Sequence, residues 1–427
     1  MDTNRLEKNQ KKQKNPLRVD SRDDADDILF DNKVKSKHPK KTSRQIVAFW
    51  TIGAISFAGG IACIIAGILG FNNTTSDTVF PKIPSTSDVG ERYYSNLTGE
   101  PLTNAADQTA PTFCIQTPNG TDGARPQSGL TKAGVIFEAI AEAGITRFAA
   151  IYQNPSQAVI GPIRSLRLYY LEWDTPFDCT IVHAGGADDA LQAVASGGYR
   201  DLSEDYAYMY RGTSGARLWN NLFTTSNYLK KFNEDNGYNS SNVKGFTRMT
   251  PEESGKSRVN TGVKEQLNIV KAATENTSET VAAISSIDLN LGGWDNFNIH
   301  YEYDSDTNTY DRSYLSGAEH EVYECADEDL GEKNPEDVCS LTQMSPSVVI
   351  AMVVQESRAS DNYHEDITTL GSGDVYIFQN GTAITGTWTK TSVDEQIKFF
   401  DENGKEIALA PGQTFVTAVP SYGDVEF

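Results

Sequence analysis

The sequence predicts an α/β domain followed by a β-rich (α+β) domain, both placed outside a membrane by one N-terminal transmembrane helix. Three observations carry that expectation. Residues 46–71 are an uninterrupted apolar run without a charge. From about residue 111, strand-like and helix-like patterns alternate. Beyond residue 263, short β-rich runs are punctuated by Asn-Gly pairs, the strongest local hairpin signal.

Residues 1–45 hold 13 Lys+Arg against 8 Asp+Glu and few aromatics, too little to bury a core. They are expected to form a disordered cytoplasmic tail. The 26 residues Ile46–Phe71 would span about 39 Å as a helix, enough to cross a bilayer with some tilt. Lys33, Lys35, Lys37, Lys40, Lys41 and Arg44 precede that run, and no Lys or Arg follows until Lys82. The positive-inside rule then puts the N-terminus in the cytoplasm and the remainder in the extracellular space. The 45-residue leader argues for an uncleaved single-pass anchor in the cell membrane. Gly60-Ile61-Ala62-Cys63 approaches a lipoprotein signal, but Gly60 stands where a branched aliphatic is usual and the apolar run continues past Cys63. Residues 72–92 are a Ser/Thr/Pro-rich linker.

The α/β domain is expected over 93–235. PTFCIQT is a strand, and Thr131 caps a helix over KAGVIFEAIAEA with Gly144 just past its end. ITRFAAIYQ is the next strand, GPIRSLRLYYLEWD a second helix, CTIVHAGG a third strand, and DALQAVAS a third helix opened by Asp188 or Asp189. The polar stretch 236–262 reads as a loop or linker. The β-rich domain, 263–427, reads as antiparallel. It contains a hairpin in NFNIHYEYDSDTNTYDRSY, a buried strand in SPSVVIAMVVQ, hairpins at Asn380-Gly381 and Asn403-Gly404, and a closing strand QTFVTAVP.

The net charge is −21, and residues 72–427 alone carry about −26. That balance argues against sequence-independent binding of nucleic acid, which needs clustered Lys and Arg. Of the five cysteines, Cys63 lies in the apolar run. Cys325 and Cys339 bracket an acidic loop, a spacing that suits pairing. Cys114 and Cys179 sit in apolar strand-like runs and pair or are simply buried. Three connectivities stay open.

Several motifs in order resemble the YerB-like family of bacterial envelope proteins, mostly lipoproteins with paired domains of unknown function. They are ARPQSGLTKAGVIFEAIAEAGITRF (124–148), IGPIRSLRLYY (160–170) and VHAGG (182–186). In the second half, Tyr310, Arg312, Gly317 and His320 match that family's Tyr-x-Arg and Gly-x-x-His run. Gly371-Ser372-Gly373, Gly386-Thr387-Trp388 and Pro411-Gly412-Gln413-Thr414 follow in the family's order. One departure is Asn220-Asn221, which stands where the family usually has His-Asn. The resemblance implies placement at the cell envelope and supplies no reaction.

The candidate ligand-binding residues are Arg125, Glu138, Arg147, Arg164, Arg167, His183, Asn221 and His320. The arginines stand out in so acidic a chain, and His183 ends a strand before a Gly-Gly turn, where α/β layers bind ligands. Guanidinium forks there suit a phosphate or carboxylate. The same residues also suit an Arg–Glu network that fixes the fold, with Glu138 and Glu142 one helical turn apart, and structural ion pairs are the commoner outcome. No zinc spacing, nucleophile elbow or P-loop occurs, and Asp304-Ser305-Asp306 lacks the later residues of a calcium loop. No metal and no cofactor are therefore expected. Ser128 and Ser165 are possible nucleophiles without an indicated base. The plan is similar to that of the LytR-CpsA-Psr wall phosphotransferases, but Leu166 and Leu168 stand where an Asp would be needed. The expected function is binding of an anionic cell-wall precursor or an envelope protein partner. A wall-modifying transferase or hydrolase acting on a phosphate-containing precursor is the alternative, and a scaffold with an exposed apolar patch a third reading.

Overall fold

The computed structural model describes residues 92–213, 220–258, 281–326 and 330–427. The tail and the apolar segment 46–71 lie outside the described residues. Among the described residues no helix is long and apolar enough to cross a membrane. Residues Thr86–Phe427 make up one compact unit.

The first half runs β1 (Thr112–Pro118), β2 (Val135–Glu142), β3 (Ile145–Gln153), α1 (Leu168–Asp174), β4 (Thr180–His183), α2 (Asp188–Gly197), β5 (Arg200–Ser203) and α3 (Ser226–Asn236). Two expectations need correction. The segment read as a helix from Thr131 is the strand β2. Apart from Glu142, every residue of β2 is buried, because the sheet is covered on both faces. A doubly covered strand is a continuous apolar run that periodicity cannot separate from a buried helix. The Gly144 signal is a turn. Ala143 and Gly144 take φ of 50° and 78°, and Glu142 pairs with Ile145 across them. A two-residue hairpin loop and a helix C-cap both call for left-handed backbone, so the glycine fitted either. The second helix is also shorter than read, because Ile160–Leu166 is extended. There Ile163 N donates to Leu222 O, Arg164 N to Gln116 O and Leu166 N to Gly185 O, so neighbouring strands satisfy this backbone. DALQAVAS does form a helix, α2, and β4 and β5 pair in parallel around it.

The second half continues with α4 (Pro251–Ser257), β6 (Val281–Ala283), β7 (Ser286–Asn290), β8 (Ile299–Asp304), β9 (Thr309–Tyr314), α5 (Pro335–Val338), β10 (Val348–Val354), β11 (Gly371–Gln379), β12 (Thr382–Lys390), β13 (Lys398–Asp401), β14 (Thr414–Pro420) and β15 (Asp424–Glu426). The stretch read as a loop over 236–262 contains α4, whose first turn is closed by a Thr250–Glu253 capping box.

An eleven-stranded sheet runs through both halves in the order β6-β12-β11-β10-β14-β2-β3-β1-β4-β5, with β13 beside β12. Strand β14 is its seam. It is parallel to β10 on one side and to β2 on the other, with Val416 opposite Phe137 and Thr417 opposite Glu138. The second half is therefore not purely antiparallel. A four-stranded antiparallel sheet, β9-β8-β7-β15, packs against part of the large one.

Alternation along the strands separates the cores. Val135 and Phe137 face a cluster with Trp173, Phe177 and Phe246, whereas Ile136 faces Phe148, Leu229 and Phe415. Tyr301, Tyr310 and Phe378 form a third cluster under the small sheet. Disulfides join Cys114 to Cys179, on β1 and just before β4, and Cys325 to Cys339 across the acidic loop.

Candidate functional site

Two charged networks lie on opposite faces of β2. Glu138 is opposite Phe148, so both point to the Phe415 side. There the Glu138 carboxylate accepts from Arg312 Nη2 at 2.8 Å and from Thr146 Oγ1 at 2.8 Å, all in the buried interior. Burial is the largest single influence on Arg312 and opposes its charge, but Glu138 together with Tyr314 and Tyr301 raises the pKa overall. Arg312 Nη1 lies 2.5 Å from His320 Nδ1, and His320 Nε2 lies 3.2 Å from Gln127 Oε1. A guanidinium can only donate, so Nδ1 accepts and Nε2 carries the proton that goes to Gln127. Burial first, then Arg312 and Arg125, holds the His320 pKa well below the ordinary histidine value.

Gln127 donates through Nε2 to Asn119 Oδ1 at 3.0 Å, and Asn119 Oδ1 also accepts from Arg125 Nε at 2.8 Å and from the Tyr314 hydroxyl at 3.0 Å. The chain Glu138–Arg312–His320–Gln127–Asn119 thus ends on Arg125. The Arg125 guanidinium stacks on Tyr314, 3.7 Å from the ring centre, and donates from Nη2 to Asn296 O at 2.9 Å. Its acceptors are neutral, and among the described residues it has no ion pair. Burial lowers its pKa.

Arg125 lines a cleft of about 330 Å³. Gly123, Ala124 and Pro126 lie beside it in the chain, and Asn220, Asn221, Phe223, Tyr323, Pro335 and Glu336 line the same cleft. Asn221 is held in place, accepting from Arg211 Nη1 at 3.0 Å and donating to Gly212 O at 2.9 Å.

The other face carries Arg147 and Arg167. Both bond Glu142, at 2.8 and 2.6 Å. Burial depresses Arg147 to about 10, and the two guanidinium groups pull Glu142 below the usual carboxylate range although burial opposes them. Arg164 has no side-chain hydrogen bond among the described residues, and its Nε is buried. His183 belongs to neither network. Its ring nitrogens face Gly185 O at 2.6 Å and Asp201 Oδ1 at 2.9 Å, at the edge formed by β4 and β5. The structure therefore gathers Arg125 and Asn221 at the cleft, with Glu138 and His320 behind Arg125. Arg147 and Arg167 form a separate cluster, and His183 stands apart.

Ser128 is buried, and its hydroxyl donates to Val159 O at 2.9 Å. The Asp304 carboxylate caps its own turn, accepting from Asp306 N and the Thr307 hydroxyl. Among the described residues no group of acidic, His or Cys side chains is arranged to hold a metal. The residues that the sequence reading missed are Asn119, Gln127, Tyr314 and Phe297, whose ring centre lies 5.1 Å from the Arg125 guanidinium. Each is an ordinary polar or aromatic residue brought to the site by the fold, so no local signal marks it. Glu336 likewise looks like one charge among many in an acidic loop.

Comparison with known proteins adds to this geometry. Residues 97–239 match a family model described as the N-terminal domain of a protein of unknown function (DUF3048), and residues 288–416 match the corresponding C-terminal domain. The chain is 26 % identical over 337 residues to YerB of Bacillus subtilis (strain 168), named as a candidate lipoprotein, covering 78 % of this chain and 88 % of that protein. The crystal structure of YerB protein from Bacillus subtilis superposes with a TM-score of 0.59 at 22 % identity, covering 78 % of this chain and all of that one. With both domain models matched in order and the fold shared, the chain belongs to the YerB-like family of paired DUF3048 domains.

Proposed function

We propose that this protein is a membrane-anchored component of the bacterial cell envelope that binds an anionic ligand in the Arg125 cleft, with its folded part outside the cell. One observation carries the reading. Arg125 presents a guanidinium to a cleft, yet its partners are an amide oxygen, a backbone carbonyl and aromatic faces. The carboxylate behind it, Glu138, is taken by Arg312. A half-buried cation without a counter-charge is what a carboxylate or phosphate ligand completes. The name of the Bacillus relative supports attachment to a membrane, and the basic stretch before residue 46 supports the orientation.

The test is calorimetric titration of wild-type and Arg125→Ala protein with inorganic phosphate, short carboxylates and soluble wall fragments. The wild type should bind at least one of these saturably. Arg125→Ala, shown to be folded by near-UV circular dichroism, should bind it at least tenfold more weakly. Equal binding by the two proteins, or none by the wild type, overturns the reading.

A further inference from the structure

We infer that the ligand of this cleft is zwitterionic and of amino-acid to short-peptide size, its carboxylate meeting Arg125 and its ammonium group meeting Glu336. The inference rests on the Arg125 reading and adds a second charged residue of the same cleft to it. Glu336 lines the same cleft. Among the described residues neither Arg125 nor Glu336 has an ion-pair partner, whether the other one or a third group. The other residues lining the cleft, among them Asn220, Asn221, Phe223 and Tyr323, are neutral.

The Glu336 wall is fixed in place. It sits in α5, and the residues just ahead of that turn are tied to the segment beside the cleft. The Tyr210 hydroxyl donates to Lys333 O at 2.7 Å, and Thr213 N donates to Asn334 Oδ1 at 2.7 Å. Cys339 N closes the turn on Pro335 O at 2.8 Å. The Cys325–Cys339 disulfide then fastens the end of α5 just past the Glu321–Glu324 strand, which supplies Tyr323. The backbone that carries Glu336 is therefore a rigid support, which lowers the ordering cost of using the residue.

Charge complementarity selects the ligand class. A simple anion gains from Arg125 but meets repulsion from Glu336, and a simple cation meets the reverse. Only a ligand carrying both signs matches both walls, and the mismatched charge is what rejects the rest. The cleft, about 330 Å³, holds roughly ten waters' worth of space, which a small peptide would displace.

The experiment is calorimetric titration of the full chain with alanine peptides of one to three residues. N-acetylated and C-amidated forms of the same peptides and inorganic phosphate are run alongside, on wild type and Glu336→Gln. Glu336 is exposed, so its replacement leaves the fold intact. The expected result is that a free peptide binds best to wild type and that acetylation or amidation each weakens it about tenfold. In Glu336→Gln, free and acetylated peptides should bind alike, and phosphate should bind more tightly than to wild type. If the acetylated peptide binds wild type as well as the free one, or only phosphate binds, the zwitterion proposal is overturned while Arg125 remains an anion site. If amidation has no effect, or nothing binds, the Arg125 reading falls with it.

Discussion

Replacing Glu138 by glutamine removes one charge from the most buried ion pair described here. Both side chains of the Glu138–Arg312 pair are 0 % exposed. Glutamine keeps the shape and leaves a carbonyl oxygen to accept from Thr146 and Asn119. Its amide nitrogen then falls where Oε2 accepted from Arg312 Nη2, so two donors face each other beside an uncompensated guanidinium. Removing one partner of a buried pair costs about 3–5 kcal/mol. In a unit of this size, roughly 2 °C of melting temperature accompanies each kcal/mol. The expected loss is then on the order of 6–10 °C, read by thermal and urea unfolding followed by circular dichroism. The double variant Glu138→Gln/Arg312→Gln should lose much less than the sum of the two single losses, because it leaves no orphan charge. A Glu138→Gln protein within about 0.5 kcal/mol of wild type, the range of an ordinary surface change, would refute the reasoning.

Further outcomes follow from the same structure. His320 is held neutral in the fold with a pKa well below its unfolded value, so the unfolded state binds more protons below about pH 6.5. Stability contributed by neutral His320 is present above that pH and is lost as pH falls, by up to about 1.4 kcal/mol per unit, and His320→Gln should flatten the slope in urea unfolding at pH 5–7. Glu142 has a depressed pKa in the fold, so its contribution is present above about pH 4.5 and disappears as pH falls through the folded value. Glu142→Gln should destabilise the neutral protein and lose less on acidification than wild type does. The Cys114–Cys179 bridge closes 65 residues and the Cys325–Cys339 bridge 14. Chain-entropy reasoning gives about 4 and about 3 kcal/mol for them, so Cys114→Ala/Cys179→Ala should lower the urea midpoint more than Cys325→Ala/Cys339→Ala.

The hairpins were the most legible elements. Asn380 and Gly381 occupy the left-handed turn positions between β11 and β12, and Gln379 pairs with Thr382 as a two-residue loop requires. Asn403-Gly404 was legible only in part, since β13 is met on its far side by a single bridge between Phe400 and Glu406. The charges around β2 were misread for a specific reason. As a helix, Glu138 and Glu142 share a face, and a regular strand would also put them on one side. A bulge between Ile140 and Glu142 shifts the register and sends the two carboxylates to opposite faces, one to Arg312 and the other to Arg147 and Arg167. The Tyr169 hydroxyl donates to Ile140 O at that bulge. A one-residue irregularity leaves no trace in composition or periodicity. The cleft was hidden for another reason: Arg125, Asn221 and Glu336 are far apart in sequence and are brought together only by long-range pairings such as Ser128 with Tyr323.

The position of β14 sets the order of events during synthesis. This strand follows both β2 and β10 in the sequence, yet it lies between them in the middle of the large sheet. A ribosome delivers it after both neighbours, so β2 and β10 keep one unpaired edge each until it emerges. Neither half can finish folding ahead of the other, and closure of the sheet depends on distant pairings, which are slow to form. A chain truncated before Thr414 would lack its keystone and present two open strand edges, the form most prone to aggregate.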